Sequence, residues 1–278
     1  MALTLTTWNV NSIRKRLDGL RDLIEAENPD VICLQETKVE DHLFPAADIA
    51  AMGYPHQAIH GMKGYNGVAI LSRIPLDAPD ALSWCGRDDC RHLFANLGVT
   101  ADNGAFDCLE VHSLYIPAGG DVADPIKNPK FRHKLDFLDA QTHWWQARGS
   151  EGPPRILMGD FNVAPLETDV WSHERLKNVV THTPVEIAAL YALQQAGRWT
   201  DAVRKFIKPN VHAYTWWSYR AADWEAADKG RRLDHAWVSP DLAPLLGGVS
   251  ILKDARNWAP PSDHAPVTLH IGGVTPRG

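Results

Sequence analysis

Short apolar runs in this chain repeatedly lead into, or start from, an amide, a carboxylate or a histidine. Leu3-Thr4-Leu5, Val31-Ile32-Cys33-Leu34 and Ile156-Leu157-Met158 lead out into Trp8-Asn9, Gln35-Glu36 and Asp160-Phe161-Asn162. Such runs, too short for helices, read as strands buried on both faces. His235-Ala236-Trp237-Val238 and Pro266-Val267-Thr268-Leu269-His270-Ile271 run the other way, with Leu233-Asp234 and Asp263-His264 placed before the strand. Strand ends and strand starts share one sheet edge only if some strands are antiparallel. The pattern therefore predicts mixed sheets whose acids, amides and histidine gather on one rim.

Between these runs, Ile13, Leu17, Leu20 and Ile24 recur at helical spacing after Ser12, the expected N-cap, and Asn28-Pro29 stops the segment. Asn66 to Ser72 reads as a strand after a turn, and Leu93–Val99 and Phe106–His112 as strands joined through Asp102-Asn103-Gly104. Phe131, Leu135, Leu138, Thr142 and Trp145 fall on one face of a helix from Lys130 to Ala147. Thr183-Pro184-Val185-Glu186 is a capping box with proline at the first helical position, opening a helix that ends near Gly197. With no low-complexity linker or short repeat, residues 1–278 are expected to form one domain, two packed sheets with helices outside.

The chain has 278 residues, 45% of them hydrophobic, enough for a large core. No stretch approaches the roughly 18 consecutive apolar residues of a membrane span, and the N-terminus enters a strand pattern directly. A soluble, cytoplasmic protein without membrane partners is expected. Cys33, Cys85, Cys90 and Cys108 form no CxxC pair and read as reduced thiols. The formal net charge of -6, with a pI near 6.1, argues against coating nucleic acid by charge alone. Local basic clusters at Arg14-Lys15-Arg16, Lys127 to Lys134, Arg204-Lys205 with Lys208, and Lys229 to Arg232 keep nucleic acid in view.

The polar set suits phosphodiester hydrolysis, which needs an activated water, neutralisation of phosphoryl charge and help for the leaving oxygen. Glu36, fixed at a strand end, is suited to a hard divalent cation. Asp160 and Asn162 lie two apart, which in an extended segment puts both on one side. There an aspartate accepts a proton from water and an asparagine amide donates to a phosphate oxygen. His264 gains weight from Asp263 beside it and from Asp234, either of which can orient an imidazole. No GxSxG elbow favours acyl transfer, and no HExxH or cysteine-rich spacing favours zinc catalysis.

Six ordered segments carry a resemblance: Trp8-Asn9-Val10-Asn11, Leu34-Gln35-Glu36-Thr37-Lys38, Asn66 to Ser72, Gly159-Asp160-Phe161-Asn162, Arg232-Leu233-Asp234-His235 and Ser262 to Val267. Together, over residues 3 to 271, they resemble the exonuclease III family of abasic-site endonucleases. GDFN and SDH also resemble the wider endonuclease, exonuclease and phosphatase superfamily. The resemblance implies an α/β fold of the DNase I type, a four-layered sandwich of two mixed β-sheets flanked by helices. It implies a magnesium-dependent monomer, with manganese as substitute, that cuts duplex DNA 5′ to abasic sites. A 3′→5′ exonuclease and 3′-phosphatase or phosphodiesterase activity on blocked 3′ ends is implied as well.

Carried over by position, the resemblance has Glu36 hold the metal with Asn11 and Asp263 nearby, and Asp160 activate water. Asn9 and Asn162 orient or bind phosphate, Asp234 pairs with His264, and Tyr115 lies near the scissile phosphate. Trp216 and Leu233 become walls for the abasic sugar, with Arg220 contacting phosphate; Trp217 and Trp237 read as core. Three positions depart from relatives. Asn11 stands where some carry an aspartate, Ala118 where they tend to carry a longer amide, and Arg231 where some carry an aromatic. Arg231 then replaces a pocket wall by a phosphate contact. Two competing readings keep the fold but change the use: a phosphoesterase for a small phosphate ester or phospholipid, and a noncatalytic DNA-binding protein.

Overall fold

Alternation of side chains along the buried strands divides the interior into three apolar layers, and this division sets the architecture. In the computed structural model, which describes residues 2–221 and 223–277, the strands are β1 (Ala2–Asn9), β2 (Val31–Gln35), β3 (His56–His60), β4 (Val68–Ser72), β5 (Leu76–Ala81), β6 (His92–Leu97), β7 (Val99–Ala101), β8 (Leu109–Tyr115), β9 (Arg155–Asp160), β10 (Thr200–Asp201), β11 (Trp216–Trp217), β12 (Gly230–Arg231), β13 (Asp234–Val238), β14 (Leu246–Ile251), β15 (Val267–Gly272) and β16 (Val274–Pro276). The larger helices include α1 (Leu17–Glu27), α2 (Ala46–Ala51), α3 (Pro129–Arg148), a one-turn α4 (His173–Leu176) and α5 (Pro184–Ala196).

One six-stranded sheet has the order β14-β15-β1-β2-β4-β3, and the other β10-β13-β9-β8-β6-β5. In the first only β1 and β2 run parallel, and in the second only β8 and β9. Leu5, Val31, Cys33, Ile156, Met158, Ala236 and Leu269 meet between the sheets. Ile32, Leu34 and Leu71 face away, toward Leu20 and Leu23 of α1 and Ile49 of α2. Leu157 and Trp237 face away on the other side, toward Phe137 and Trp145 of α3 and Leu190 and Leu193 of α5. The result is the four-layered α/β sandwich expected, with mixed sheets. Both faces of the central strands are covered, which explains why they read as apolar runs. Among the described residues, no helix is long and apolar enough to cross a membrane, and all four cysteines are free.

The helix boundaries follow local chemistry. Thr183 Oγ1 accepts from the Glu186 amide and the Glu186 carboxylate returns the bond to Thr183 N, so the capping box opens α5 as expected. α3 begins at Pro129 under an Asn128 cap and stops at Gly149.

Ser12 does not cap α1. It sits at φ 88° without a side-chain cap, a 3-10 turn covers Ile13–Lys15, and α1 begins only at Leu17. The cause is a tertiary tie: Ser12 N donates to Glu36 O at 2.7 Å and Ile13 N to Thr37 O at 3.2 Å. The expected hairpin exists as β6 against β8, but its second strand starts at Leu109. The chain after Leu97 peels off as β7 to pair with β16 near the C-terminus.

Candidate active site

Register places the polar strand ends on one rim. Asn9 lies opposite Gln35, and Asp160 lies opposite both Tyr115 and Asp234. Gly159 makes the approach of β9 to β8 possible. At its φ of 151°, a Cβ would fall 1.9 Å from Leu114 O, so no other residue fits before Asp160. Glu36 and Asn162, just beyond their strands, both take left-handed backbone, φ 53° and 54°. For a glutamate this conformation is uncommon and marks a held position.

Asn9 joins the two sheets. Its Nδ2 donates to Glu36 Oε1 at 3.0 Å and to Asp160 Oδ2 at 2.9 Å. Tyr115 adds its hydroxyl to Glu36 Oε1 at 2.8 Å. Asn162 N donates to Asp160 Oδ1 at 2.9 Å and Asn162 Nδ2 to Asp160 Oδ2 at 3.1 Å. The two residues therefore meet through a tight turn, and the extended segment expected from their spacing is incorrect. His264 Nδ1 and Asp234 Oδ2 are 2.8 Å apart, while His264 Nε2 lies 3.7 Å from Asp160 Oδ2. The orienting acid of His264 is thus Asp234. Asp263 points elsewhere, accepting from Asn11 Nδ2 and Trp216 Nε1, both at 3.0 Å.

Burial sets the charges. It pushes the Asp160 carboxyl up to about 7 even though His264 pulls it down. Burial opposes a charged His264, but Asp234 and then Asp160 overcome it and raise the imidazole to about 10. Near neutral pH the rim thus combines a carboxyl close to its titration point with an imidazolium. For Glu36, burial is outweighed by Lys38 and the Asn9 hydrogen bond, which hold it below the usual glutamate range.

Two groups offer oxygen to a cation. Asp160, Asp234 and His264 present ligand atoms within 4.8 Å of one another, but the His264 Nδ1 is already engaged by Asp234 and the charged ring is itself the cation there. Glu36 and Asn11 are bridged by Lys38 Nζ, 2.7 Å from Glu36 Oε2 and 2.6 Å from Asn11 Oδ1, and Asp263 joins them through Asn11 Nδ2 at 3.0 Å, so the three offer oxygen ligands. That donor set fits a hard divalent ion, and the ammonium already balancing it shows that the place favours positive charge.

Asp160, His264 and Glu36 open into a cavity of about 590 Å³ whose walls include Trp216, Arg220, Arg231 and Leu233. Leu233 is buried and the Trp216 ring half-buried beside it. Arg231 has its guanidinium 5.3 Å from the Trp216 ring centre, with Nη1 donating to Thr181 Oγ1 at 2.7 Å and Val180 O at 3.1 Å. Arg220 is exposed at the mouth. Trp217 and Trp237 are core. Not every basic cluster faces solvent: Arg232 is fully buried in a bidentate pair with Asp169, and Lys134 is fully buried against Glu186.

Sequence reading gave no role to Lys38, Thr215 or Lys134. Thr215 Oγ1 accepts from the amides of Leu233 and Asp234, both at 3.0 Å, and fixes the start of β13. Lys134 Nζ donates to Asn162 O at 2.7 Å. A lysine among the apolar positions of α3, three residues after Phe131 and four before Leu138, was the signal for it.

Residues 6–264 match the model of the Endonuclease/Exonuclease/phosphatase family. The chain is 31% identical to exodeoxyribonuclease III of Haemophilus influenzae, over 94% of this chain and 97% of that protein. An AP endonuclease from Archaeoglobus fulgidus superposes with a TM-score of 0.86 at 32% identity, over 97% of this chain and 99% of that one. A 3′ phosphatase, NExo, from Neisseria, solved bound to a product DNA hairpin, gives 0.85 at 31% identity, again over 97% and 99%. With its rim of strand ends and a family match over nearly its whole length, this chain belongs to the Endonuclease/Exonuclease/phosphatase family.

Proposed function

We propose that the chain is a DNA repair nuclease, one catalytic domain acting as a monomer in the cytoplasm, that hydrolyses the phosphodiester 5′ to abasic sites in duplex DNA. It also trims 3′ ends as an exonuclease and removes 3′ phosphate or phosphodiester blocks. The observation that carries this reading is Asp160, buried and raised toward neutrality, facing a charged His264 across 3.7 Å. The relatives named as an exodeoxyribonuclease, an AP endonuclease and a 3′ phosphatase support DNA as the substrate.

In this mechanism Asp160, held in place by Asn9 and Asn162, takes the proton of the attacking water as the water oxygen bonds to phosphorus, and the phosphorus–O3′ bond breaks to leave a 3′ hydroxyl that draws its proton from solvent. His264 presents Nε2 to a phosphoryl oxygen while Asp234 keeps its other nitrogen. Tyr115 sits beside Glu36 to contact the phosphate. Magnesium, with manganese as substitute, supplies neutralisation of phosphoryl charge when bound at Glu36 with Asn11 and Asp263. Trp216 and Leu233 offer apolar walls to the abasic sugar, and Arg220 and Arg231 grip phosphate.

Activity is expected to follow both charges. Above about 7 Asp160 is ionised and serves as base, and above about 10 His264 loses its proton. A plot of kcat/KM against pH should rise through the first value and fall through the second. Because burial raises Asp160 above its ordinary value of 3.8, its contribution to folding stability is full below that value and is lost as pH rises from there through about 7. A flat profile from pH 6 to 9 would remove Asp160 from the base role.

Arg231 favours terminal phosphates over abasic sugars, because a guanidinium stands where an apolar wall would otherwise close the pocket. Arg231→Ala is expected to lower 3′-phosphatase turnover by about tenfold, the loss of one charge-assisted hydrogen bond, with a smaller effect on abasic incision. Equal losses on both substrates would argue against this role. Turnover on an abasic duplex compared with inositol phosphates and sphingomyelin tests the substrate class itself. Only the duplex should be cleaved efficiently.

A further inference from the structure

We propose a second cation site, outside the catalytic rim, formed by His60, Asp88 and Cys90 and suited to one zinc-like divalent ion. His60 ends β3, and the other two lie on the loop before β6. One ligand atom from each residue lies within 4.8 Å of the others. Two features single this cluster out. His60 Nε2 is buried yet has no hydrogen-bond partner, and its nearest acid oxygen, Asp88 Oδ1, stands 3.6 Å away, beyond hydrogen-bond reach. Cys90 is buried beside it, a free thiol that burial first, and then the charges of Asp88, Asp41 and Asp89, push up to about 11. A buried ring nitrogen without a partner is costly, and a negative field around a thiol invites a cation.

The donor set selects the ion. Imidazole, thiolate and carboxylate together suit zinc and its first-row neighbours, whereas magnesium takes oxygen ligands. In a tetrahedral zinc site the ligand atoms stand roughly 3.5 Å apart, as the bond lengths require. The small closure needed falls on Asp88, whose side chain is 78% exposed and whose Oδ1, accepting from Ser83 Oγ at 3.2 Å, would exchange that surface hydrogen bond for the ion. Three protein ligands leave the fourth position to solvent on that exposed side.

The site would stiffen one wall of the catalytic cleft. Cys90 O accepts from Gly67 N at 3.1 Å and Gly67 O accepts from Thr37 N at 3.2 Å, next to Glu36. On the same loop, Asp89 O is held by Asn66 Nδ2 at 2.8 Å, and Arg91 lies 4.8 Å from the Tyr115 ring centre. An ion at Cys90 therefore ties β3 to the segment that packs on Tyr115.

The test uses the full chain, stripped of metal, kept reduced with a phosphine, and titrated with Co²⁺ in excess Mg²⁺ so that the oxygen site is filled. The expected result is a thiolate-to-cobalt charge-transfer band that saturates at one equivalent. The band should be lost in Cys90→Ser and in His60→Gln and kept in Cys85→Ser and Cys108→Ser. In parallel, Zn²⁺ should raise the melting temperature of the native chain but not of His60→Gln. His60→Gln keeps the thiol, so it reports even if Cys90→Ser fails to fold. Absence of the band in the native chain, or its persistence in His60→Gln, would overturn the proposal. Because none of these readouts depends on DNA cleavage, they stand apart from the nuclease reading.

Discussion

Asp160→Asn should lower kcat for incision of an abasic duplex by about 10²–10⁴, the usual worth of general-base help, with duplex affinity nearly unchanged. The side chain is buried and its two oxygens accept three hydrogen bonds, from Asn9 Nδ2, Asn162 N and Asn162 Nδ2. An amide of the same shape keeps the fold around it but cannot take a proton from water. It must also turn an NH₂ toward one of those donors, which displaces Asn9 or Asn162 and adds to the loss. Single-turnover rates alongside Kd from fluorescence anisotropy separate chemistry from binding. Unchanged turnover would show that another group removes the proton.

Lys134→Met is expected to destabilise the fold by about 3–5 kcal/mol, the cost of leaving one partner of a buried ion pair alone. Lys134 and Glu186 are both fully buried. Glu186 also accepts from the amides of Thr181 and Thr183 and from Thr183 Oγ1, so these donors still hold the side chain in its buried place while its counter-charge is lost. The effect reaches the rim, because Lys134 Nζ also donates to Asn162 O. Urea denaturation should report the stability loss. A fall in kcat at urea-free, fully folded conditions should report the displaced Asn162. A double variant, Lys134→Met with Glu186→Gln, should recover part of the stability and little of the rate. Full stability in the single variant would mean that water reaches the Glu186 carboxylate.

The rim was legible in sequence wherever a strand buried on both faces ended at a polar side chain. The direction of each run then told which end of the strand lay at the edge, as Asn9, Gln35, Asp160 and Asp234 illustrate. α5 was legible because its capping box is a local code. Ser12 misled because the same residue type also accepts a distorted turn when its backbone is claimed elsewhere, here by Glu36 and Thr37. The spacing of Asp160 and Asn162 predicted their meeting but not its cause, since a left-handed asparagine does by a turn what an extended chain does by alternation.

The contacts that lock the site were harder to read. Lys134 and Glu186 are 52 residues apart, and Asn9 meets Asp160 across 151. No local pattern links such pairs; only the packing of α3 against α5 and of one sheet on the other brings them together. The walls Trp216, Leu233 and Arg231 came from resemblance, because an aromatic or arginine in a loop has no periodic signature of its own. Arg232 shows the converse. It reads as part of a basic surface cluster, yet it lies inside, paired with Asp169, whose carboxyl Arg232 and Arg204 hold down to about 2 against the effect of burial.

The most direct measurement is product length from an end-labelled duplex carrying one abasic analogue, incubated with the chain in Mg²⁺ and then, in a matched reaction, with a chelator. The expected result is a single cut on the 5′ side of the lesion, followed by slower shortening from the new 3′ end, with both abolished by the chelator. An intact duplex in Mg²⁺, or the same cut with the cation removed, would contradict it.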